Sequence, residues 1–261
     1  MIRPFGSLDR REWQAQTRAM MQQGSKVAVF GASGGIGAAL VAALAARPDV
    51  AVVHAGARHP VAATDTVRPF TFDYDDAESV SSACTTLARD GPLDMVLVAT
   101  GRLTLADGTP PEKSVRLLAA PALAEQFAVN AIGPALVMAQ APALLPRDRR
   151  GVFAVLSARV GSISDNRLGG WHGYRAAKAA LNMLMRGLSI ELARSHPRAV
   201  VAALHPGTVD TLLSAPFQRG VKPEKLFTPA CSAGAMLDVL DGLGAADSGR
   251  LWAWDGAEIP F

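Results

Sequence analysis

The chain has 261 residues, of which 49% are hydrophobic and 19% charged, a balance typical of a folded domain with a large core and not of a disordered chain. Its net charge of +3 arises within residues 1–26, and the rest of the chain carries 21 basic and 21 acidic groups. No basic stripe runs through the body of the chain, so the composition predicts no nucleic-acid partner.

Residues 1–25 are predicted to form an N-terminal arm that is flexible or contains a short helix. Ser7 is a suitable cap for such a helix, which would extend to about Met21. Terminal segments are usually poorly tied down, and a partner-binding role is the alternative. Residues 26–261 are predicted to form a single domain, because they contain no internal repeat and no low-complexity linker.

Strand and helix patterns alternate along this domain. The predicted strands cover residues 26–30, 50–57, 94–99, 151–156, 199–204 and 250–253. The predicted helices cover residues 36–47, 77–88, 122–145, 174–195 and 232–240, the third with a bend near Gly133 and Pro134. Strands that alternate with helices of this length predict an α/β fold, a single Rossmann-like doubly wound parallel sheet flanked by helices on both faces.

Residues 27–46 form an uncharged stretch of twenty residues, which is the length of a membrane span. Gly31, Gly34, Gly35 and Gly37 interrupt it, and a strand, a turn and a helix explain these glycines where a span does not. The sequence therefore predicts no membrane insertion.

The glycine-rich turn comes at the first strand–helix junction, with Gly31, Gly35 and Gly37 spaced G-x-x-x-G-x-G. Glycine lets the backbone turn tightly and approach a pyrophosphate, and the following helix presents free N–H groups. We expect a dinucleotide site here that also includes Ser33 and Ile36. A purely structural turn is the alternative.

The end of the second predicted strand bears on the choice of dinucleotide. Many such sites carry an acidic residue here for the ribose hydroxyls, whereas this chain has Gly-Ala-Arg-His at residues 56–59. Arg58 favours a cofactor with a 2′-phosphate, so NADP(H) is predicted over NAD(H), which stays possible. The alternative is that Arg58 is a solvated turn residue.

Tyr174 and Lys178 lie four residues apart, on one face of a predicted helix. Free tyrosine has a pKa of about 10, and a lysine cation together with an oxidised nicotinamide would lower it towards the range of a useful base. The pair is a weak motif alone. Ser157 follows a predicted strand at the edge where α/β sheets bind ligands, and Asn130 lies in the preceding helix.

With residues 205–211, His-Pro-Gly-Thr-Val-Asp-Thr, these motifs resemble the classical short-chain dehydrogenase/reductase family. Residues 157–163, 165–166, 169–171 and 254–260 are similar to its C-factor-like branch, which is associated with cell–cell signalling. The chain departs from the family at residues 99–101, where Ala-Thr-Gly replaces the common Asn-Ala-Gly. Thr100 thus replaces an amide that usually ties neighbouring strands, which puts one structural hydrogen bond in doubt.

The resemblance implies a role for each of four catalytic residues. Tyr174 would transfer the proton, Lys178 would lower the pKa of Tyr174 and hold the nicotinamide ribose, and Ser157 would hydrogen-bond the substrate oxygen. Asn130 would support a water that links Lys178 to solvent. The other implied cofactor contacts are Asp73 at the adenine, Gly101 along the cleft, and Pro206, Gly207, Val209 and Thr211 at the nicotinamide.

The predicted function is an NAD(P)(H)-dependent oxidoreductase that interconverts a carbonyl and an alcohol on a small molecule. Residues 212–227 have the composition of a mobile loop over an apolar substrate. The alternative is a cofactor-binding signalling or regulatory protein of the same fold. A sugar-nucleotide epimerase or dehydratase is disfavoured, because the chain lacks their larger C-terminal substrate domain.

The surroundings of the protein follow from the cysteines and from the family. Cys84 and Cys231 lie far apart, and the five histidines lack metal-ligand spacing, so no disulfide and no metal are predicted. A reducing, cytoplasmic compartment is expected. The resemblance also implies a homodimer or homotetramer.

Overall fold

The structure is a computed structural model, and it describes residues 21–261. The strands are β1 (Ser25–Phe30), β2 (Val50–Ala57), β3 (Val67–Thr71), β4 (Met95–Val98), β5 (Gly151–Leu156), β6 (Ala199–His205), β7 (Thr208–Val209), β8 (Leu226–Phe227), β9 (Arg250–Ala253) and β10 (Glu258–Ile259). The α-helices are α1 (Gly35–Ala45), α2 (Ala77–Arg89), α3 (Ala120–Phe127), α4 (Gly133–Met138), α5 (Ala141–Leu144), α6 (His172–Ser195) and α7 (Pro229–Gly242).

Eight of these strands form the central sheet, in the order β10-β9-β6-β5-β4-β1-β2-β3. All neighbouring pairs are parallel except β9 and β10, which are antiparallel. The chain order reverses between β1 and β4, and this switch point is where open α/β sheets bind ligands. The predicted Rossmann-like parallel sheet is confirmed.

Helices cover the sheet on both faces, as predicted. Phe30 of β1 packs with residues of α2, α4, α5 and α6, whereas the preceding residue, Val29, packs with residues of α1 and α7. Successive strand side chains point to opposite faces, so each central strand contributes to two cores. This double burial explains the nearly continuous apolar composition of these strands.

The structure differs from the sequence prediction in several short strands and in one helix. The strands β3, β7, β8 and β10 have no predicted bounds, because β3 has mostly exposed side chains and the other three have two residues each. The helix predicted over residues 122–145 is divided into α3, α4 and α5. A π-helical turn at Ala128–Ile132 precedes Gly133, and such turns often occur at functional sites.

The predicted N-terminal arm, residues 1–25, falls outside the described residues up to position 20. Met21 is buried beside the core that α1 and α7 cover, and Ser25 already belongs to β1. Across residues 21–261, no helix is long and apolar enough to cross a membrane. The same residues contain no cluster of three or more potential metal ligands.

Candidate active site

The glycine-rich turn connects β1 to α1 with the tight geometry that the motif predicts. Gly31 has a positive φ of 94°, and a Cβ on Gly37 would overlap the carbonyl oxygen of Gly31. Helix α1 has no side-chain cap and no acidic residue in its first turn, and Ser33 and Gly34 are exposed. The first N–H groups of α1 are therefore free to bind an anion, and the turn fits the pyrophosphate of a dinucleotide.

The segment after β6 lies against this turn, although the two are far apart in the chain. A Cβ on Gly35 would lie 2.7 Å from Cγ2 of Thr211. Gly207 has a positive φ of 78° and packs against Phe227 and Trp254, and the carbonyl oxygen of Pro206 accepts from Ser232. The fold thus brings residues 206–211 to the turn, with Val209 buried nearby.

Arg58 and Asp73 follow β2 and β3, next to the glycine-rich turn. The turn is joined to the end of β2 because the N–H groups of Gly31 and Ala32 both donate to the carbonyl oxygen of Gly56, at 2.8 Å. Arg58 is exposed, and within residues 21–261 its guanidinium has no ion-pair partner. Its charge is therefore available to an anionic ligand. Asp73 is half-buried and accepts from the N–H of Asp75.

Thr100 makes a hydrogen bond that differs from the tie between neighbouring strands that the departure from the family pattern puts in doubt. Its hydroxyl lies 3.0 Å from the hydroxyl of Tyr74, so a hydrogen bond joins the chain after β4 to the chain after β3. The ring of Tyr74 packs against the Cα of Gly133 at the start of α4. Burial raises the pKa of Tyr74 above its ordinary value, so this hydroxyl stays protonated.

Asn130 lies in the π-helical turn and is completely buried. Its amide nitrogen donates to the carbonyl oxygen of Arg102 and to the side chain of Gln126, both at 2.8 Å, and its amide oxygen accepts from the N–H of Arg102. The side chain therefore fixes the segment after β4, where Gly101 lies between Asn130 and Lys178. The role of Asn130 in supporting a water stays a prediction. Sequence reasoning missed Gln126.

Tyr174 and Lys178 lie in the first turns of α6, and both are buried, with exposed fractions of 8% and 2%. The Nζ atom of Lys178 donates to the carbonyl oxygen of Leu156 at 2.7 Å and lies 5.8 Å from the ring centroid of Tyr174. In residues 21–261, no protein group hydrogen-bonds the hydroxyl of Tyr174. The pair thus lies at the carboxyl end of β5, with the phenol available to a ligand.

Burial dominates the proton affinities of this pair. It raises the pKa of Tyr174 above its ordinary value and lowers the pKa of Lys178 to about 7. Both shifts favour the neutral form, because a charged group loses solvation in the interior. In the protein without a cofactor, burial therefore outweighs the effect of Lys178 on the pKa of Tyr174. The lowering of this pKa by Lys178 together with an oxidised nicotinamide stays a prediction.

Ser157 directly follows β5 and is buried with only 3% exposed. Its hydroxyl donates to the amide oxygen of Asn182 at 2.6 Å, and its N–H donates to the carbonyl oxygen of Leu204 on β6. Asn182 lies on the same face of α6 as Tyr174 and Lys178, at the i, i+4, i+8 spacing that could have identified it. Sequence reasoning did not single out Asn182.

Residues 212–227, the predicted substrate loop, contact the chain after β4 and the residue before α6. Leu213 approaches Gly101, beside Lys178, and the ring of Phe217 contacts that of Trp171, which precedes α6. The loop ends in β8, which pairs with β7. The side-chain contacts of Leu213 and Phe217 are apolar, and the apolar substrate stays a prediction.

Comparisons with known proteins agree with this arrangement. A family match to short chain dehydrogenases covers residues 25–222, from β1 through most of the substrate loop. The chain belongs to the short-chain dehydrogenase family. It is similar to the C-signal protein of Myxococcus xanthus, with 37% identity over 143 residues that cover 53% of this chain and 78% of that protein. This similarity supports the C-factor-like branch of the short-chain dehydrogenases.

Another relative is 1-hydroxy-2-glutathionyl-2-methyl-3-butene dehydrogenase of Rhodococcus sp. (strain AD45), with 30% identity over 77% of this chain and 82% of that protein. Among solved structures, the NADPH-bound carbonyl reductase from chicken fatty liver shares the fold, with a TM-score of 0.78 and 23% identity over 93% of this chain and 96% of that one. An NADP-bound member from Burkholderia multivorans has a TM-score of 0.73 and 25% identity over 91% and 99% of the two chains.

Proposed function

We propose that this short-chain dehydrogenase is a cytoplasmic, NADP(H)-preferring carbonyl reductase or alcohol dehydrogenase for an apolar small molecule. The observation that carries the proposal is the position of Tyr174, Lys178 and Ser157. Tyr174 and Lys178 are buried together on α6, with Lys178 bound to the last residue of β5 and Ser157 following it. The glycine-rich turn opens at the same edge of the sheet.

The geometry supports a separate role for each of these residues when the carbonyl is reduced. Tyr174, whose hydroxyl has no protein partner in residues 21–261, gives its proton to the carbonyl oxygen. The amine of Lys178 lies beside the resulting phenolate. Ser157 hydrogen-bonds the substrate oxygen. A nicotinamide cofactor supplies the hydride chemistry when bound. The glycine-rich turn, Arg58 and Lys178 would hold that cofactor.

Preference for NADP(H) is supported by the charge at the end of β2. Arg58 is exposed and has no ion-pair partner in the described part of the chain, and a guanidinium suits bidentate binding of a phosphate. The similar Burkholderia multivorans structure contains bound NADP. This position also lacks the acid that commonly binds the ribose hydroxyls of NAD(H).

The Tyr174→Phe variant tests the proposed reaction. NADPH oxidation would be followed with phenanthrenequinone, menadione and nitrobenzaldehyde, and the variant is expected to lose about 10²–10⁴-fold in kcat because its proton donor is gone. The chain has two tyrosines, so Tyr74→Phe is the matched control and should keep turnover within a few-fold. Full turnover by Tyr174→Phe would exclude the mechanism.

A second candidate function is cofactor-dependent signalling or regulation, which the similarity to the C-signal protein favours. Saturable NADPH binding without turnover on a broad carbonyl panel would support this candidate over the enzyme. Retention of Tyr174, Lys178 and Ser157 together argues against a role in binding alone, since binding does not require a proton donor.

We also propose that the protein is a homo-oligomer. Met183 and Ile190 lie on one exposed face of α6, 72% and 49% exposed, and a Cβ on Gly187 between them would meet no atom within 4 Å. Burial of this face against a second copy would remove apolar surface from water. Light scattering should give a multiple of the 27.2 kDa chain mass, and the Met183→Asp/Ile190→Asp variant should shift towards the monomer.

A further inference from the structure

Asn182 joins the serine of the site to the loop that follows it. Its amide oxygen accepts from the hydroxyl of Ser157 at 2.6 Å, and its amide nitrogen donates to the carbonyl oxygen of Gly161 at 3.3 Å. Asn182 and Ser157 each expose only 3% of their surface. Water therefore does not compete with either bond, and both groups depend on each other for hydrogen bonding.

The carbonyl oxygen of Gly161 determines which way the Asn182 amide faces. A carbonyl oxygen only accepts hydrogen bonds, so the amide nitrogen must point to Gly161 and the amide oxygen to Ser157. In the reverse orientation two acceptors would meet at Gly161. Because the amide oxygen cannot donate, the single proton of the Ser157 hydroxyl is directed to Asn182.

We propose that Asn182 is a positioning residue that holds the proton of Ser157, so that Ser157 presents its lone pairs to the substrate. A hydroxyl held in this way accepts a hydrogen bond from an alcohol but repels the lone pairs of a carbonyl oxygen. A carbonyl substrate must turn the Ser157 proton away from Asn182, whereas an alcohol need not. The site in its resting form thus favours binding of the alcohol.

The consequences for turnover rest on the proposed function, so the first experiment requires no substrate. The chain has three asparagines, Asn130, Asn166 and Asn182, which makes selective labelling of asparagine with ¹³Cγ and ¹⁵Nδ2 readable by NMR. Variants Asn166→Asp and Asn182→Asp assign the three signals. Ser157→Ala should shift the ¹³Cγ signal of Asn182 and leave that of Asn166 unchanged. An unchanged Asn182 signal would overturn the proposal, whether or not the protein is an enzyme.

The second experiment measures KM for nitrobenzaldehyde with NADPH and for nitrobenzyl alcohol with NADP⁺. Asn182→Leu frees the Ser157 proton, so KM should fall for the aldehyde and rise for the alcohol, and their ratio should change about tenfold, the size expected for one hydrogen bond. The ratio of kcat for the aldehyde to kcat for the alcohol should fall together with the KM ratio, because the overall equilibrium constant fixes the ratio of the two kcat/KM values. A merely structural defect would raise both KM values.

A double-mutant cycle then asks whether Asn182 acts through Ser157. In the Ser157→Ala background, Asn182→Leu should no longer change the KM ratio, and a persisting change would overturn the proposal.

Asn182→Asp keeps an acceptor towards Ser157 and should retain the wild-type ratio within about threefold, which provides a second variant if leucine impairs folding. Ser189→Ala is the matched control, since it removes another buried hydroxyl of α6 that bonds only within that helix. If wild-type protein turns over no compound of the carbonyl panel, the proposed function fails, while the NMR result still tests the bond between Asn182 and Ser157.

Discussion

The indole of Trp171 meets the ring of Phe217 edge-on, with 5.2 Å between the ring centroids. Trp171 precedes α6 with a left-handed backbone conformation, at a φ of 51°. Its backbone N–H donates to the carbonyl oxygen of Glu112. Phe217 ends a 3₁₀ turn in the substrate loop. The contact therefore anchors this loop to the helix that carries Tyr174.

Phe217→Ala should loosen the substrate loop, because an aromatic pair contributes about 0.5–1.5 kcal/mol beyond its buried area. We expect KM for apolar carbonyl compounds to rise about two- to tenfold, and trypsin to cleave faster after Arg219. Steady-state kinetics and limited proteolysis measure the two effects. Leu212→Ala, in the same loop but 95% exposed, is the control, and equal effects from both variants would argue against the anchor.

The glycine-rich turn offers a comparison of two neighbouring glycines. A methyl group on Gly37 would overlap the carbonyl oxygen of Gly31, whereas one on Gly34 would lie 3.5 Å from the same atom, an ordinary contact. Gly37→Ala should lower the free energy of unfolding by about 3 kcal/mol and weaken NADPH binding. The free energy of unfolding of Gly34→Ala should lie within about 0.5 kcal/mol of the wild-type value. Urea denaturation measures both free energies, and equal stability of the two variants would contradict the geometry.

Arg58→Asp should reverse the cofactor preference. Loss of a charge-assisted bond to the 2′-phosphate costs about 1.5–3 kcal/mol, so the ratio of kcat/KM for NADPH to that for NADH should fall by about 10–100-fold. Arg116→Asp, at another exposed position, controls for net charge and should leave the ratio unchanged. If Arg58→Asp also leaves it unchanged, another group recognises the phosphate.

Lys178 should make the stability of the fold depend on pH. Burial lowers its pKa from 10.5 to about 7, so between these values the unfolded chain holds a proton that the folded chain lacks. The free energy of unfolding therefore rises with pH in this window, on the order of 1 kcal/mol per pH unit. Above about pH 10 the raised pKa of Tyr174 acts in the opposite direction, since the unfolded chain then loses the phenolic proton first.

Denaturation of wild type and Lys178→Met at pH 7, 8 and 9 measures this contribution as a difference in slope. The variant should lose the rise with pH, whereas Lys222→Met, which removes an exposed lysine, should keep it. Parallel slopes for wild type and Lys178→Met would show that Lys178 is charged in the folded protein across this range.

Much of the fold follows from local patterns. The apolar runs of β1, β4, β5 and β6 predict buried parallel strands because both faces of each are covered, and their order with the helices predicts the doubly wound sheet. The sequence does not predict the bounds of strand β3, because β3 lies at the sheet edge and its exposed residues lack an apolar pattern. The division of the helix at residues 128–132 depends on how Asn130 packs, which no local propensity encodes.

The sequence by itself determined which groups are candidates for the site: the glycines of the turn, and a phenol and an amine one helical turn apart. These follow from the chain because each motif is local and its spacing matches its secondary structure. Only the tertiary structure decided the partners of these groups, such as Asn182 for Ser157, Tyr74 for Thr100 and Phe217 for Trp171. It also decided that burial outweighs the lysine charge at Tyr174, because desolvation depends on what surrounds a group in space.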